Sequence, residues 1–405
     1  MVQSIEWARA VVARVVSARP GLQELTCRLD GTPQEVPAVA YTDLCGELAP
    51  GAAVWLNLRA LTLGLGTGGV AFVVAPADPP GARPQVDGIG DRPGFGRATT
   101  PPGTGDGDSP QLWFGDQPSR GADSGYLVKA RYTPLQVVTR GVDSPDSPHH
   151  DTLQNAESLE GMPVVVADLH SSLPAICAAI LHDAASAGRE PRLVYVMTDG
   201  AALPLAFSRT VARLTGSGVI SATITAGQAF GGDFEAVSVQ SALLAARHVA
   251  DADIAICVQG PGNLGSDTPW GFSGVAVGDA VNAVATLGGR PVGCLRVSGA
   301  DPRARHRGLS HHSLTAYGQV ALASADLAVP ILDGALADLG RDVEAAAEPL
   351  AARHRLHHVP LDGLMGALEA TPGLSTMGRG LADDPAAFLA AAAAGRLALQ
   401  LANDP

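Results

Sequence analysis

The sequence predicts an α/β protein: a doubly wound, mostly parallel sheet with helices on both faces, preceded by a small β-barrel-like domain. Three observations predict it. After Met162, apolar stretches that would be buried on both faces alternate with helical periodicity, the pattern of a parallel sheet covered by helices. Before residue 76, short β-rich stretches are separated by turn dipeptides. The chain has 405 residues, 46% of them hydrophobic, enough for two or three packed domains.

The barrel strands are expected at Val11–Val16, Leu25–Leu29, Val36–Ala40, Ala53–Leu58 and Val70–Ala75, with Pro20-Gly21, Asp30-Gly31 and Pro50-Gly51 between them. Such barrels often bind oligonucleotides, but Trp55, Tyr41 and few arginines favour a packing or assembly module. Pro76 to Asp123 is rich in Pro, Gly, Asp and Thr and reads as a flexible insert. Tyr126–Val138 reads as paired strands holding the sole lysine, Lys129, and Gly141–Gly161 as a loose loop whose His149-His150-Asp151 is a solvated surface. The expected division is therefore residues 1–75 (barrel), 76–123 (insert), 124–140 (β segment), 141–161 (loop) and 162–405 (α/β domain).

Within that last domain, strands are expected at Pro163–Asp168, Leu193–Met197, Val219–Thr225, Ile254–Val258, Val292–Val297, Ala328–Leu332 and Leu356–Val359. Helices are expected at Ser172–Ala187, Leu203–Leu214, Ala236–Ala250, Val275–Leu287, His311–Ala325 and near Arg341–Ala352. Alanine-rich helices at Gly363–Ala370 and Ala386–Ala402 close the chain. Right-handed crossovers favour the doubly wound arrangement.

Composition excludes several classes. The 27 basic and 40 acidic residues give a net charge of −13, which repels nucleic acid, so none is expected as a partner. No uninterrupted apolar run of about 18 residues occurs, so no membrane span is expected. Met1–Arg19 lacks a signal-peptide core, and five scattered cysteines without a C-x-x-C pair read as reduced residues of a cytoplasmic protein. With Lys129 alone there is no Gly-Lys-[Ser/Thr], so no P-loop nucleotide site is expected. Nor is a pyridoxal phosphate enzyme.

Several segments resemble a bacterial family. They are Val15–Gln23, Leu63–Gly69, Lys129–Gln136, Ala167–Pro174, Gln259–Gly274, Gly308–Ala316 and Ser375-Thr376-Met377-Gly378-Arg379-Gly380. Together they are similar to the domain-of-unknown-function 3866 family over nearly the whole chain outside the insert. The resemblance implies no activity and no site residue.

Ligands of open parallel sheets gather beyond the carboxyl ends of the strands, so the candidate residues come from those loops. Asp168 and His170 pair a carboxylate with an imidazole, serving either metal ligation or an oriented general base; alternatively Asp168 caps the next helix. Asp199 is a further carboxylate or a helix cap. Gly64–Gly69 matches G-x-G-x-x-G but precedes a strand, so it is a turn rather than a dinucleotide loop. Gly260, Gly262 and Gly265, with Asn263, follow a strand, but the next helix begins about ten residues late. They read better as a loop offering N–H groups to an anion than as a nicotinamide fingerprint. Arg303, Arg305, His306 and Arg307 concentrate positive charge before Ser310, an expected N-cap, and predict an anion site there. His311 and His312, about 100° apart on a helix, are not expected to face one metal unaided.

The function expected from these residues is a hydrolase or group transferase, acid/base or metal-assisted, acting on a small anionic metabolite. Arg303, Arg305 or Arg307 would hold the anion; His170, His306, His311 or His312 would exchange protons; Asp168 and Asp199 would orient them or a divalent metal. A non-catalytic ligand-sensing or assembly protein is the alternative, and a nicotinamide-dependent oxidoreductase a weaker one. A homo-oligomer is compatible with the apolar C-terminal helix.

Overall fold

The computed structural model describes residues 6–62, 69–77, 127–131, 133, 135 and 137–403. The expected insert, beyond Pro76 and Ala77, and Gly64–Gly68 of the first glycine motif lie outside the described residues. Strands β1 (Trp7–Arg19), β2 (Leu22–Leu29), β3 (Glu35–Tyr41), β4 (Ala53–Asn57) and β5 (Ala71–Pro76) close into a barrel of order β1-β2-β3-β5-β4. Two one-turn helices, α1 (Thr42–Cys45) and α2 (Arg59–Thr62), join them. Closure works because alternate side chains point inward: Val54 and Leu56 are buried while Trp55 between them is 42% exposed. β1 bends through two irregularities, between Val12 and Arg14 and between Val15 and Ser17. Val12, Leu25, Cys27, Val36, Ala38 and Val73 complete the barrel core.

The short pair β6 (Leu127–Lys129) and β7 (Val137–Thr139) follows, antiparallel, then a one-turn helix α3 (His150–Gln154). The loop expected at 141–161 is tied down more than its composition implied: Leu153 and Leu159 enter the main core, and the His150 ring contacts the Asp143 carbonyl at 2.8 Å.

The larger sheet uses β8 (Pro163–Ala167), β9 (Leu193–Thr198), β10 (Ala222–Thr225), β11 (Phe234–Glu235), β12 (Ile254–Gln259), β13 (Arg290–Cys294), β16 (Asp326–Pro330) and β17 (Arg355–Val359). Two minor strands, β14 (Val297–Ser298) and β15 (Gly308–Leu309), pair separately between β13 and β16. Its order is β11-β10-β9-β12-β8-β13-β16-β17, and every pairing is parallel. All residues of β8, β10, β12 and β16 are buried, so both faces of these strands are covered. The helices are α4 (Leu173–Ser186), α5 (Arg209–Gly216), α6 (Val239–His248), α7 (Val277–Thr286), α8 (His311–Thr315), α9 (Ala337–Ala347), α10 (Leu364–Glu369) and α11 (Pro385–Ala402). A minor hairpin, β18 (Ser375–Thr376) and β19 (Arg379–Gly380), precedes α11.

Three helices depart from the sequence expectation for local reasons. Leu203–Leu214 splits, because the Ser208 hydroxyl accepts from the Val211 N–H and starts α5 late. Ala236–Ala250 starts at Val239 under a capping box of Ser238 and Ser241. His311–Ala325 is only α8 plus a π-turn, Ala316–Val320, whose Tyr317 hydroxyl bonds the Val166 and Cys294 carbonyls at 3.0 and 3.1 Å.

Helix α11 is the one described helix long and apolar enough to cross a bilayer, but 78% of it is buried inside the protein. It packs on α4, where Gly395 lies against the Ile176 backbone. All five cysteines are free. The barrel is held to the sheet domain by Glu24, which accepts from Arg19 at 2.9 Å and from Arg209 at 2.8 and 2.9 Å.

Candidate functional site

Parallel strands share a carboxyl edge. Because β8 and β13 are neighbours, the residues just past their ends, Asp168 and Arg296, meet. The Arg296 guanidinium reaches the Asp168 carboxylate at 3.3 Å and the His312 Nδ1 at 2.9 Å; His312 Nδ1 is also 3.4 Å from Asp168. All three side chains are buried. Burial alone would raise the Asp168 pKa, but the His312 and Arg296 contacts outweigh it and hold the carboxyl below its ordinary value. Gly274 is required here: a Cβ on it would sit 2.7 Å from the Asp168 Cβ.

His312 belongs to a convergent set. The ring centroids of His306, His311 and His312 are 5.0, 4.8 and 4.5 Å apart, and one ligand nitrogen from each lies within 4.8 Å of the others. Phe272 stacks on His312 at 3.7 Å and fixes its plane. The Ser310 hydroxyl contacts His306 Nδ1 at 2.7 Å, and as the N-cap of α8 it also accepts from the His312 N–H. Burial, then the Arg296 and Arg303 charges, push the His306 pKa down to about 3, so its ring is neutral at physiological pH. His311 is lowered for similar reasons, burial first, then His312 and Arg305. Its Nε2 is buried without a hydrogen-bond partner, and so is Asn263 Nδ2. These residues, with Gly265, Asp267, Arg296, Arg303 and Arg305, line a cleft of about 230 Å³.

The arginine run is not a set of free cations. Arg303 is held by Asp301 through two contacts of 2.9 Å, which keeps the Asp301 carboxyl far below its usual range. Arg305 pairs with the exposed Asp267, and Arg307 donates to the Asp301 carbonyl at 3.4 Å. Arg379 bridges Asp384 and Asp301 at 3.2 and 3.4 Å. Sequence reasoning missed Arg296, Asp301, Asp384 and Gln259. A lone arginine after the apolar Val292–Leu295 run was the available signal for the first.

Other expected residues lie apart. His170 Nδ1 is 3.2 Å from the Gln259 carbonyl, its Nε2 is 2.6 Å from Ser208 Oγ, and Tyr195 stands 3.2 Å from Nδ1. Burial lowers its pKa to about 4. The neutral ring therefore donates from Nδ1 to the carbonyl and accepts from the serine. With both nitrogens engaged, and Asp168 turned to Arg296 and His312, the Asp168–His170 metal pair is not assembled. His170 instead faces the cleft between barrel and sheet, with Gly262, Arg19 and Arg209. Asp199 accepts from the Gln228 N–H at 2.8 Å and ties down the turn after β10. Gly260 packs against the Ala202 carbonyl, and α7 begins only at Val277. The rings of His311 and His312, adjacent at the start of α8, stand 4.5 Å apart at 74°, and both lie within 5.0 Å of the His306 ring.

The architecture and this rim define an α/β protein with an N-terminal barrel and a cleft at the carboxyl edge of its parallel sheet. The chain belongs to the family described as "Protein of unknown function (DUF3866)", whose sequence pattern matches residues 37–395. Among curated proteins none matches. Among solved structures, the chain is similar to the signal recognition particle 54 kDa protein of Aeropyrum pernix K1 in complex with GDP. That likeness has 14% identity and a TM-score of 0.26, and covers 49% of this chain and 42% of that one. The expectation of no P-loop nucleotide site is set against this finding, since that neighbour was solved with GDP. A likeness this distant carries no argument about what this chain binds.

Proposed function

We propose that the chain is an enzyme of the hydrolase or group-transferase class, acting on a small anionic molecule in the cleft lined by Arg296, Arg305, His306, His311 and His312. The sheet is in this reading doubly wound: the chain runs from β8 outward to β11 and then back through β12 to β17, and with right-handed crossovers the connecting helices α4 and α5 fall on the face opposite α6 and α7. The cleft then lies at the switch point. Five free cysteines fit a cytoplasmic protein.

One observation carries the reading: three imidazoles, Arg296 with the buried Asp168 paired to it, and two unpartnered polar atoms, on His311 and Asn263, meet at one cleft. Unpartnered buried polar atoms are costly unless something completes them, and a polar ligand does so. Imidazoles serve either acid/base exchange or metal ligation, and Asp168 with Arg296 holds His312 in place for either. Arg305, whose exposed pair with Asp267 contributes about 0–1 kcal/mol, is free to turn to an anion.

Thermal-shift measurements with a panel of phosphorylated and carboxylated metabolites test it. Stabilisation by at least one anion, reduced in Arg305→Gln and His311→Asn, is expected. No stabilisation by any anion, or the same stabilisation in both variants, overturns the reading.

A further inference from the structure

We propose that His306, His311 and His312 form a three-histidine site for a divalent transition metal, zinc-like in preference, with a coordination position open to the cleft. The argument is geometric. In a tetrahedral site with metal–nitrogen bonds of about 2.0–2.1 Å, ligand nitrogens sit roughly 3.3 Å apart and ring centroids about 5 Å apart. The three rings here already have centroids 4.5–5.0 Å apart, with ligand nitrogens within 4.8 Å. The site requires the nitrogens to close from within 4.8 Å to roughly 3.3 Å, a movement that falls to the His306 and His311 side chains because Phe272 fixes the plane of His312.

The outer contacts fit the same assignment. Ser310 occupies His306 Nδ1 and leaves Nε2 for the metal. His311 Nε2 is buried and has no partner. Asp168, 3.4 Å from His312 Nδ1, is placed to accept that N–H, the carboxylate–histidine–metal arrangement that fixes the tautomer. In the structure Arg296 donates to the same nitrogen at 2.9 Å. Metal capture therefore moves the His312 proton to Nδ1 and turns Arg296 toward Asp168 alone.

The second consequence is electrostatic. Arg296 is balanced by Asp168, Arg303 by Asp301 and Arg305 by Asp267, so the surrounding charge is close to neutral. Three neutral imidazoles leave the divalent charge uncompensated, and an anion at the open position balances it. Metal and anion then bind with positive coupling. This deepens the functional reading above and rests on it for the use of the site, while metal binding itself is measured without substrate.

The test uses full-length protein stripped by a chelator, titrated with Zn2+ by calorimetry and with Co2+ by visible absorption. One equivalent of each metal is expected, with the d–d bands of four- or five-coordinate cobalt. His306→Ala and His311→Ala each lower affinity by about 100-fold or more, whereas Asp168→Asn costs about 10–100-fold, the loss expected for an outer partner. His358→Ala, remote and paired with Glu344, leaves binding unchanged. Circular dichroism checks folding, and His311→Gln replaces His311→Ala if the latter unfolds. Sub-stoichiometric binding in the wild type, or full affinity in the His306 and His311 variants, overturns the metal site. Anion stabilisation of the metal-stripped protein would then still stand, so the two readings fail separately.

Discussion

Cutting the Asp168–Arg296 pair is the perturbation whose size the structure fixes most directly. Both residues are 8% exposed, and the Arg296 side chain is left with the His312 Nδ1 contact when Asp168 is replaced by alanine. Removing one partner of a buried ion pair costs about 3–5 kcal/mol, because the remaining charge stays desolvated. The surviving imidazole contact places Asp168→Ala at the lower end, about 3 kcal/mol. Arg296→Met costs about the same, since Asp168 retains only the His312 ring at 3.4 Å. The double variant buries no orphan charge, so its cost falls short of the sum by about 1–3 kcal/mol. Scanning calorimetry of the four proteins at pH 7 measures this. Each kcal/mol corresponds to about 2–4 °C in a domain of this size, so the single variants lose roughly 6–12 °C. Single-variant losses under 2 °C, or a double variant whose loss equals the sum, refute the account of the rim as a tightly coupled buried pair.

Gly395→Ala should destabilise even though alanine is the better helix former. Its Cβ would stand 3.1 Å from the Ile176 Cα and closer to the carbonyl oxygen, a backbone clash costing about 1–3 kcal/mol, read as a lower urea midpoint. Lys129→Met should cost about 3–5 kcal/mol. The Lys129 ammonium donates to the Ala236 and Ala229 carbonyls at 2.9 and 3.0 Å and pairs with buried Glu235; adding Glu235→Gln should restore part of the loss. Asp326 predicts an acid limb. Burial would raise its pKa, but Arg355 at 2.7 and 2.8 Å and His357 at 2.7 Å hold it below the ordinary value. A depressed folded pKa stabilises above the unfolded pKa of about 3.9, and that stabilisation is lost as pH falls through the lower folded value. Thermal midpoints against pH should therefore drop below about pH 4 in the wild type and less steeply in Asp326→Asn, which is less stable at pH 7.

Most of the architecture was legible because burial on both faces leaves a plain trace. Val164–Val166 and Ile254–Val258 are unbroken apolar runs, and each is a central strand. Helix starts were less legible, since Ser208 and Ser238 set them by single hydrogen bonds rather than by periodicity. The rim was legible only in its ingredients. Asp168, His306, His311 and His312 were selectable as polar residues after strands, but their partners depend on which strands are adjacent. Arg296 meets Asp168 because β13 lies beside β8, and nothing local in Leu295-Arg296-Val297 states that. For the same reason the Arg303–Arg307 run looked like free positive charge, when Asp301 and Asp267 already balance it.

The imidazole 1H–15N spectrum of histidine-labelled protein, recorded while inorganic phosphate is added, puts the cleft to the test. Of the eleven histidines, the account predicts saturable shifts at His306, His311 and His312 alone. Shifts confined to His170 or to surface histidines, or no shift up to the concentrations that stabilise the protein, would contradict it.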